Sequence, residues 1–81
     1  MKVWFSTTAE DQLDRLPAFL HQRIITKVEL YAAQPDPLQF AEPLSVSDFY
    51  RFRIGDYRVI FEVLHDTIWI LAIKRRDEAY R

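Results

Sequence analysis

Apolar and polar positions change rhythm three times along this chain of 81 residues, and each change marks an element. Lys2 to Phe5 alternate, the period of a short strand. From Ala9 the spacing lengthens. Ala9, Leu13 and Leu16 fall at i, i+4 and i+7, the apolar stripe of a helix, and Thr7 with Glu10 three residues on has the form of a capping box. Pro17 suits the first position of a second helix, whose stripe is Leu20, Ile24, Val28 and Tyr31, joined by Ile25 and Ala32. Gln34-Pro35-Asp36-Pro37 stops that helix, because proline cannot extend it and disfavours helical geometry in the residue before it.

Leu38 to Asp48 keeps no period and reads as a loop with Phe40 and Leu44 tucked into the core. Three strands follow, about Phe49 to Ile54, Tyr57 to Leu64 and Thr67 to Lys74, with Gly55-Asp56 and His65-Asp66 as their two turns. The expected fold is α+β in the order βααβββ. An antiparallel sheet is expected, a meander of the three C-terminal strands with the N-terminal strand at its edge, and both helices pack on one face. Residues 1 to 81 read as a single domain without repeat, low-complexity tract or linker.

Composition narrows the function classes. With 49% hydrophobic residues the chain can fill one core, and with no cysteine it has no disulfide, thiolate nucleophile or cysteine zinc cluster. The longest apolar runs are of strand length, so neither a membrane span nor a secretory leader is expected, and a cytoplasmic location is the default. The formal net charge of -1 conceals an asymmetry: residues 1 to 49 carry four Lys/Arg against seven Asp/Glu, residues 50 to 81 seven against five. That balance suits a local anion site better than tight non-specific binding to nucleic acid. His21 and His65 have no ligand spacing around them, and Ser6, Ser45 and Ser47 no nucleophile context, so no metal and no cofactor is expected. The one glycine, Gly55, excludes glycine-rich phosphate loops.

The remaining chemistry concentrates in Tyr50-Arg51-Phe52-Arg53-Ile54-Gly55-Asp56-Tyr57-Arg58-Val59-Ile60-Phe61. Alternation puts Arg51 and Arg53 on one face, and a two-residue turn at Gly55-Asp56 sets Arg53 directly opposite Arg58. Like charges stacked across a strand pair destabilise a sheet, which points to an anion between them, phosphate being the natural candidate. Solubility alone also puts arginines on exposed sheet faces, with Glu62 or Asp56 as surface partners. On the last strand an unbroken register sends Trp69, Leu71 and Ile73 to the arginine face and brings Arg75 beside Arg58, with Lys74 and Arg76 leaning away. That face then offers an aromatic and aliphatic floor at one end and guanidinium groups at the other, as a nucleotide requires.

Leu16-Pro17 at the helical junction, the arginine hairpin, and the ending Ile73-Lys74-Arg75-Arg76-Asp77-Glu78-Ala79-Tyr80-Arg81 together resemble the RelE/ParE superfamily of type II toxin–antitoxin toxins, over essentially the whole chain. In its RelE branch the resemblance implies a ribosome-dependent ribonuclease that cuts mRNA in the ribosomal A site, arrests translation, and is held inactive by a cognate antitoxin. Carried over by motif position, Arg51 and Arg53 match the two basic positions before the turn, Arg58 the phosphate-binding arginine after it, and Tyr80 the tyrosine near the C-terminus. One of Lys74, Arg75 and Arg76 matches the remaining basic catalytic position. Many relatives have histidine where Lys74 stands, so imidazole proton transfer there is excluded. Metal-free cleavage by the RNA 2′-hydroxyl needs its proton removed, the phosphorane stabilised and the leaving 5′-oxygen protonated. Arg58 with Arg75 or Arg76 suits the second task. Tyr80, a phenol that ordinarily titrates near ~10, becomes a base only beside cations such as Lys74 or Arg53. The ParE branch implies instead a binder of DNA gyrase, and a degenerate toxin that only binds its antitoxin is a third reading.

Overall fold

The structure is a computed structural model and describes residues 1–45 and 48–77. Its elements, in chain order, are β1 (Lys2–Phe5), α1 (Thr7–Asp14), α2 (Ala18–Ala32), a 3-10 turn (Pro37–Phe40), β2 (Ala41–Pro43), β3 (Tyr50–Ile54), β4 (Tyr57–Leu64) and β5 (Thr67–Arg75). The α+β architecture and the helix pair between the first strand and the meander are as the sequence predicts. Among the described residues the sheet has five strands in the order β1-β5-β4-β3-β2 and is mixed: β1 runs parallel to β5 while every other pairing is antiparallel. A helical hairpin returns the chain to the end where β1 began, which makes that one parallel contact possible.

Residues 38 to 48 are not simply a loop. The segment holds the 3-10 turn and β2, and Phe40 stacks on Tyr31 at 5.0 Å with much of its ring still in solvent. Pro43 is tolerated because β2 is an edge strand, where one missing N–H costs no ladder bond.

The core lies between the helices and one sheet face. Ala9 and Leu13 of α1 and Ile24, Val28 and Ala32 of α2 meet Phe52 and Ile54 of β3, Val59 and Phe61 of β4, and Ile68, Ile70 and Ile73 of β5. Phe52 and Phe61 stack at 4.3 Å, and Tyr31 leans on Phe52 at 4.9 Å. Gly55 takes φ +59, the left-handed region that the first central position of a II′ hairpin turn requires, and His65 and Asp66 both have positive φ, the I′ pattern.

The cap of α1 is Ser6, one residue before the predicted Thr7. Its hydroxyl accepts from the Ala9 N–H at 3.0 Å and donates to the Leu71 carbonyl at 3.0 Å, so one side chain starts the helix and ties it to β5. Ser6→Ala is therefore expected to cost about 1–2 kcal/mol, the upper part of the range for a lost cap, measured by urea unfolding. A loss below ~0.3 kcal/mol would show that water replaces both bonds.

The decisive irregularity is in β5. Val59 pairs with Ile73 and Ile60 with Ala72, but Phe61 pairs with Ile70, which leaves Leu71 as an extra residue, a β-bulge. The bulge reverses the parity of everything after it. Ile73 does not join the arginine face; it is buried in the core. Arg75 likewise goes to the helix side, paired with Tyr57, and Lys74 takes the place opposite Arg58 that an unbroken register assigns to Arg75. Two partners distant in sequence hold the bulge: the Ser6 hydroxyl on the Leu71 carbonyl, and the Gln12 amide oxygen, which accepts from the Ile73 N–H where β1 has ended.

Candidate anion site on the open sheet face

Helices cover one side of the sheet, and the basic side chains of the hairpin and Lys74 of β5 gather on the other. Arg53 of β3, Arg58 of β4 and Lys74 of β5 are cross-strand partners in one row, Arg53 opposite Arg58 and Arg58 opposite Lys74. Neighbouring strands are ~4.8 Å apart, so three cations occupy about 10 Å. Arg51, two residues before Arg53, shares their face.

Arg58 is the centre of this row and an anomaly within it. It is 4% exposed, the only buried charged side chain among the described residues. Its Nη1 donates to the carbonyls of Tyr57 at 3.0 Å and Gly55 at 3.4 Å, and its Nε is buried with no partner among the described residues. A buried guanidinium normally faces a carboxylate, because removing it from water costs several kcal/mol. Here its cross-strand neighbours are cations. The Gly55-Asp56 turn is gripped from both sides: Arg58 holds the Gly55 carbonyl, and the Arg23 guanidinium of α2 lies over Gly55, 3.6 Å from where a Cβ would stand.

The stacked arginines predict an anion among Arg51, Arg53 and Arg58, and part of that role falls to a carboxylate of the protein itself. Glu42 of β2 accepts from Arg53 Nε at 2.8 Å and from Arg51 Nη2 at 3.4 Å. The signal was faint, a single carboxylate in a segment without periodicity. Arg53 and Glu42 are both about half exposed, so this pairing is worth ~0–1 kcal/mol and a phosphate can displace it.

Arg75 and Arg76 lie apart from this row. Arg75 lies between the helices and the hairpin, lining recesses with Arg15, Arg23 and Tyr57, and its Nε is 3.9 Å from Asp77. Arg76 follows β5, and its backbone N–H donates to the Asp56 carbonyl at 2.7 Å. Its side chain lines an open hollow with Asp56, Arg75 and Asp77 at the end of the sheet. Tyr80 falls outside the described residues. His21 binds the Leu13 carbonyl at 3.2 Å through Nδ1 and so links the two helices, and His65 sits exposed in its turn. Among the described residues no three His, Cys, Asp or Glu gather in a metal-binding group, and no helix is long and apolar enough to cross a membrane.

A family model described as the ParE toxin of the type II toxin–antitoxin system parDE matches residues 3–80. No curated protein matches the chain. Among solved structures, the toxin–antitoxin complex RelBE2 from Mycobacterium tuberculosis is similar at 26% identity and a TM-score of 0.76, covering 93% of this chain and 96% of that one. The archaeal RelE–RelB complex from Pyrococcus horikoshii is 29% identical with a TM-score of 0.72, covering 93% of each chain. The chromosomal ParDE system of Pseudomonas aeruginosa shares the fold at 21% identity and a TM-score of 0.71, covering 93% of this chain and 95% of that one.

Proposed function

The chain belongs to the ParE toxin family within the RelE/ParE group of type II toxin–antitoxin systems, and from that premise we propose that it is a ribosome-dependent mRNA endonuclease neutralised by a cognate antitoxin. The observation that carries this reading is the row Arg53–Arg58–Lys74, with a central guanidinium that is buried and incompletely bonded. A group of that kind is preorganised for an anion: its desolvation has already occurred on folding, so its attraction for phosphate is undiluted by water.

The chemistry follows from the residue types. The RNA 2′-oxygen attacks the adjacent phosphorus, a P–O2′ bond forms as the P–O5′ bond breaks, and the products are a 2′,3′-cyclic phosphate and a 5′-hydroxyl. Arg58 stabilises the charge that grows on the phosphorane. Lys74, rather than Arg75, flanks it on β5 and supplies positive charge and a proton donor near the leaving oxygen. Arg51 and Arg53 hold the neighbouring phosphates once Glu42 is displaced. Tyr80 takes the 2′-hydroxyl proton, and the ribosome orders the message.

Two assays test this together. Added to a cell-free translation reaction, the protein is expected to produce new mRNA ends within translated codons, and Tyr80→Phe to lower that cleavage about 10²-fold, the lower range for a lost proton-transfer group. Intact messages at inhibitory protein concentrations would sink the nuclease. A DNA gyrase supercoiling assay belongs beside it, because the matching family model is that of ParE and favours gyrase inhibition as a second reading. Inhibited supercoiling with intact mRNA decides for that reading. The similar structures were solved as toxin–antitoxin complexes, which supports an antitoxin as the partner of this chain.

A further inference from the structure

The open sheet face continues past the cations into an apolar surface made largely of indole. Trp4 of β1 and Trp69 of β5 are register partners in the parallel pair, with ring centroids 5.8 Å apart and planes tilted by 56°. Trp4 is 60% exposed, and Leu64 beside them is also exposed. Ile68 and Ile70 point to the helices and are fully buried, so Trp69 between them points to the open face. The Trp69 ring is not free to turn: its Nε1–H donates to the Leu64 carbonyl at 3.3 Å.

We propose that Trp4 and Trp69 form a nucleobase-stacking subsite for single-stranded RNA, continuous with the phosphate row at Arg58 and Lys74. The inference deepens the nuclease reading and rests on it. Charge supports a polyanion here: Lys2 shares the Trp4 face of β1 at one end of the patch, and Lys74 and Arg58 stand at the other. Trp69 and Lys74 lie on the same strand and pair with Glu62 and Arg58, four residues of β4 or about 13 Å apart, because the bulge takes up one residue between them. That distance corresponds to about four nucleotides at the ~3.4 Å spacing of a stacked strand, fewer when it is extended. The Trp69 N–H is satisfied by the Leu64 carbonyl, and every base offers a face to stack on an indole fixed in this way.

Glu62, opposite Trp69 on β4, constrains the path. Its carboxylate repels phosphate, so the base lies toward Glu62 and the backbone passes on the β1 side. A carboxylate accepts from the exocyclic amino group of cytosine, which uracil lacks. The platform therefore favours cytosine over uracil.

The chain's two tryptophans are both in the platform, so tryptophan emission excited beyond the tyrosine absorption band reports on it alone. The full-length protein is titrated with 2′-O-methyl hexacytidylate, which cannot be cleaved through its 2′-oxygen, while anisotropy of a labelled copy follows overall binding. Binding is expected to quench the tryptophan emission, and Trp69→Leu and Trp4→Ala each to weaken it about tenfold without lowering the melting temperature by more than a few degrees. Hexauridylate is expected to bind more weakly, and Glu62→Gln to narrow that difference. Absence of quenching at millimolar oligonucleotide, or affinity unchanged in both tryptophan variants, overturns the platform. So does protection of the two indoles from acrylamide by a co-purified antitoxin when RNA gives none, which assigns the face to the protein partner. The nuclease is judged separately: mRNA cleavage in the translation reaction without quenching leaves it standing and removes the platform, and quenching without cleavage does the reverse.

Discussion

Replacing Arg58 with methionine is expected to leave a protein that melts at a higher temperature and cuts RNA far more slowly. The side chain is 4% exposed, its Nε has no partner among the described residues, and its cross-strand neighbours Arg53 and Lys74 add repulsion. Two carbonyl bonds from Nη1 offset only part of the desolvation. Methionine retains most of the volume and adapts to the space with no charge to bury. A gain of about 1–3 kcal/mol is expected, in line with buried ionic groups replaced by apolar ones. In a domain of this size each kcal/mol moves the melting temperature by about 4–8 °C, so calorimetry resolves it easily. Cleavage is expected to fall about 10²–10³-fold, the loss for removing one preorganised donor to a developing oxyanion. The opposite pattern, a less stable variant that still cleaves mRNA, would reassign Arg58 to a structural role in the hairpin.

Phe52→Ala is expected to be the most damaging single core truncation. Phe52 has no exposed surface, stacks on Phe61 at 4.3 Å with an angle of 25° between planes, and is touched from the helix side by Tyr31 at 4.9 Å. Tyr31 in turn stacks on Phe40 at 5.0 Å, so one ring supports a chain of aromatics from the sheet to the segment that carries Glu42. Removing it costs about 3–5 kcal/mol, the lost transfer energy plus the cavity left behind. Small domains have ~5–15 kcal/mol in total, so the variant loses a large part of its stability. It should accumulate only when a partner that binds the folded form is co-expressed. Equilibrium urea unfolding measures the effect, and a loss under ~1.5 kcal/mol would mean that the rings close over the gap and that this stack does not hold the sheet to α2.

The hairpin shows how much was legible in one dimension. Alternation of Phe52 and Ile54 against Arg51 and Arg53, with a glycine where a turn needs positive φ, is sufficient to set Arg53 opposite Arg58, and the structure has that pairing. Helix positions were legible for the same reason: the period of apolar residues is a local quantity. Ser6 was missed as the cap because two hydroxyl residues in succession, Ser6 and Thr7, satisfy nearly the same pattern, and only the bond to Leu71, 65 residues away, chooses between them. Glu42 was missed because a three-residue edge strand containing a proline leaves no period to read.

What the chain's order of residues determined alone is the α+β class, the order of the two helices and of four of the five strands, the β3–β4 register and the family, since each rests on short-range spacing or on motif. Which cations share the open face was decided only in three dimensions. From Ile68 to Ile73 every residue of β5 is apolar, so either face reads as core and no local signal betrays an added residue at Leu71. The bulge is stable because Ser6 and Gln12 of the distant N-terminal segment satisfy the backbone groups around it, and through it Lys74 replaces Arg75 beside Arg58.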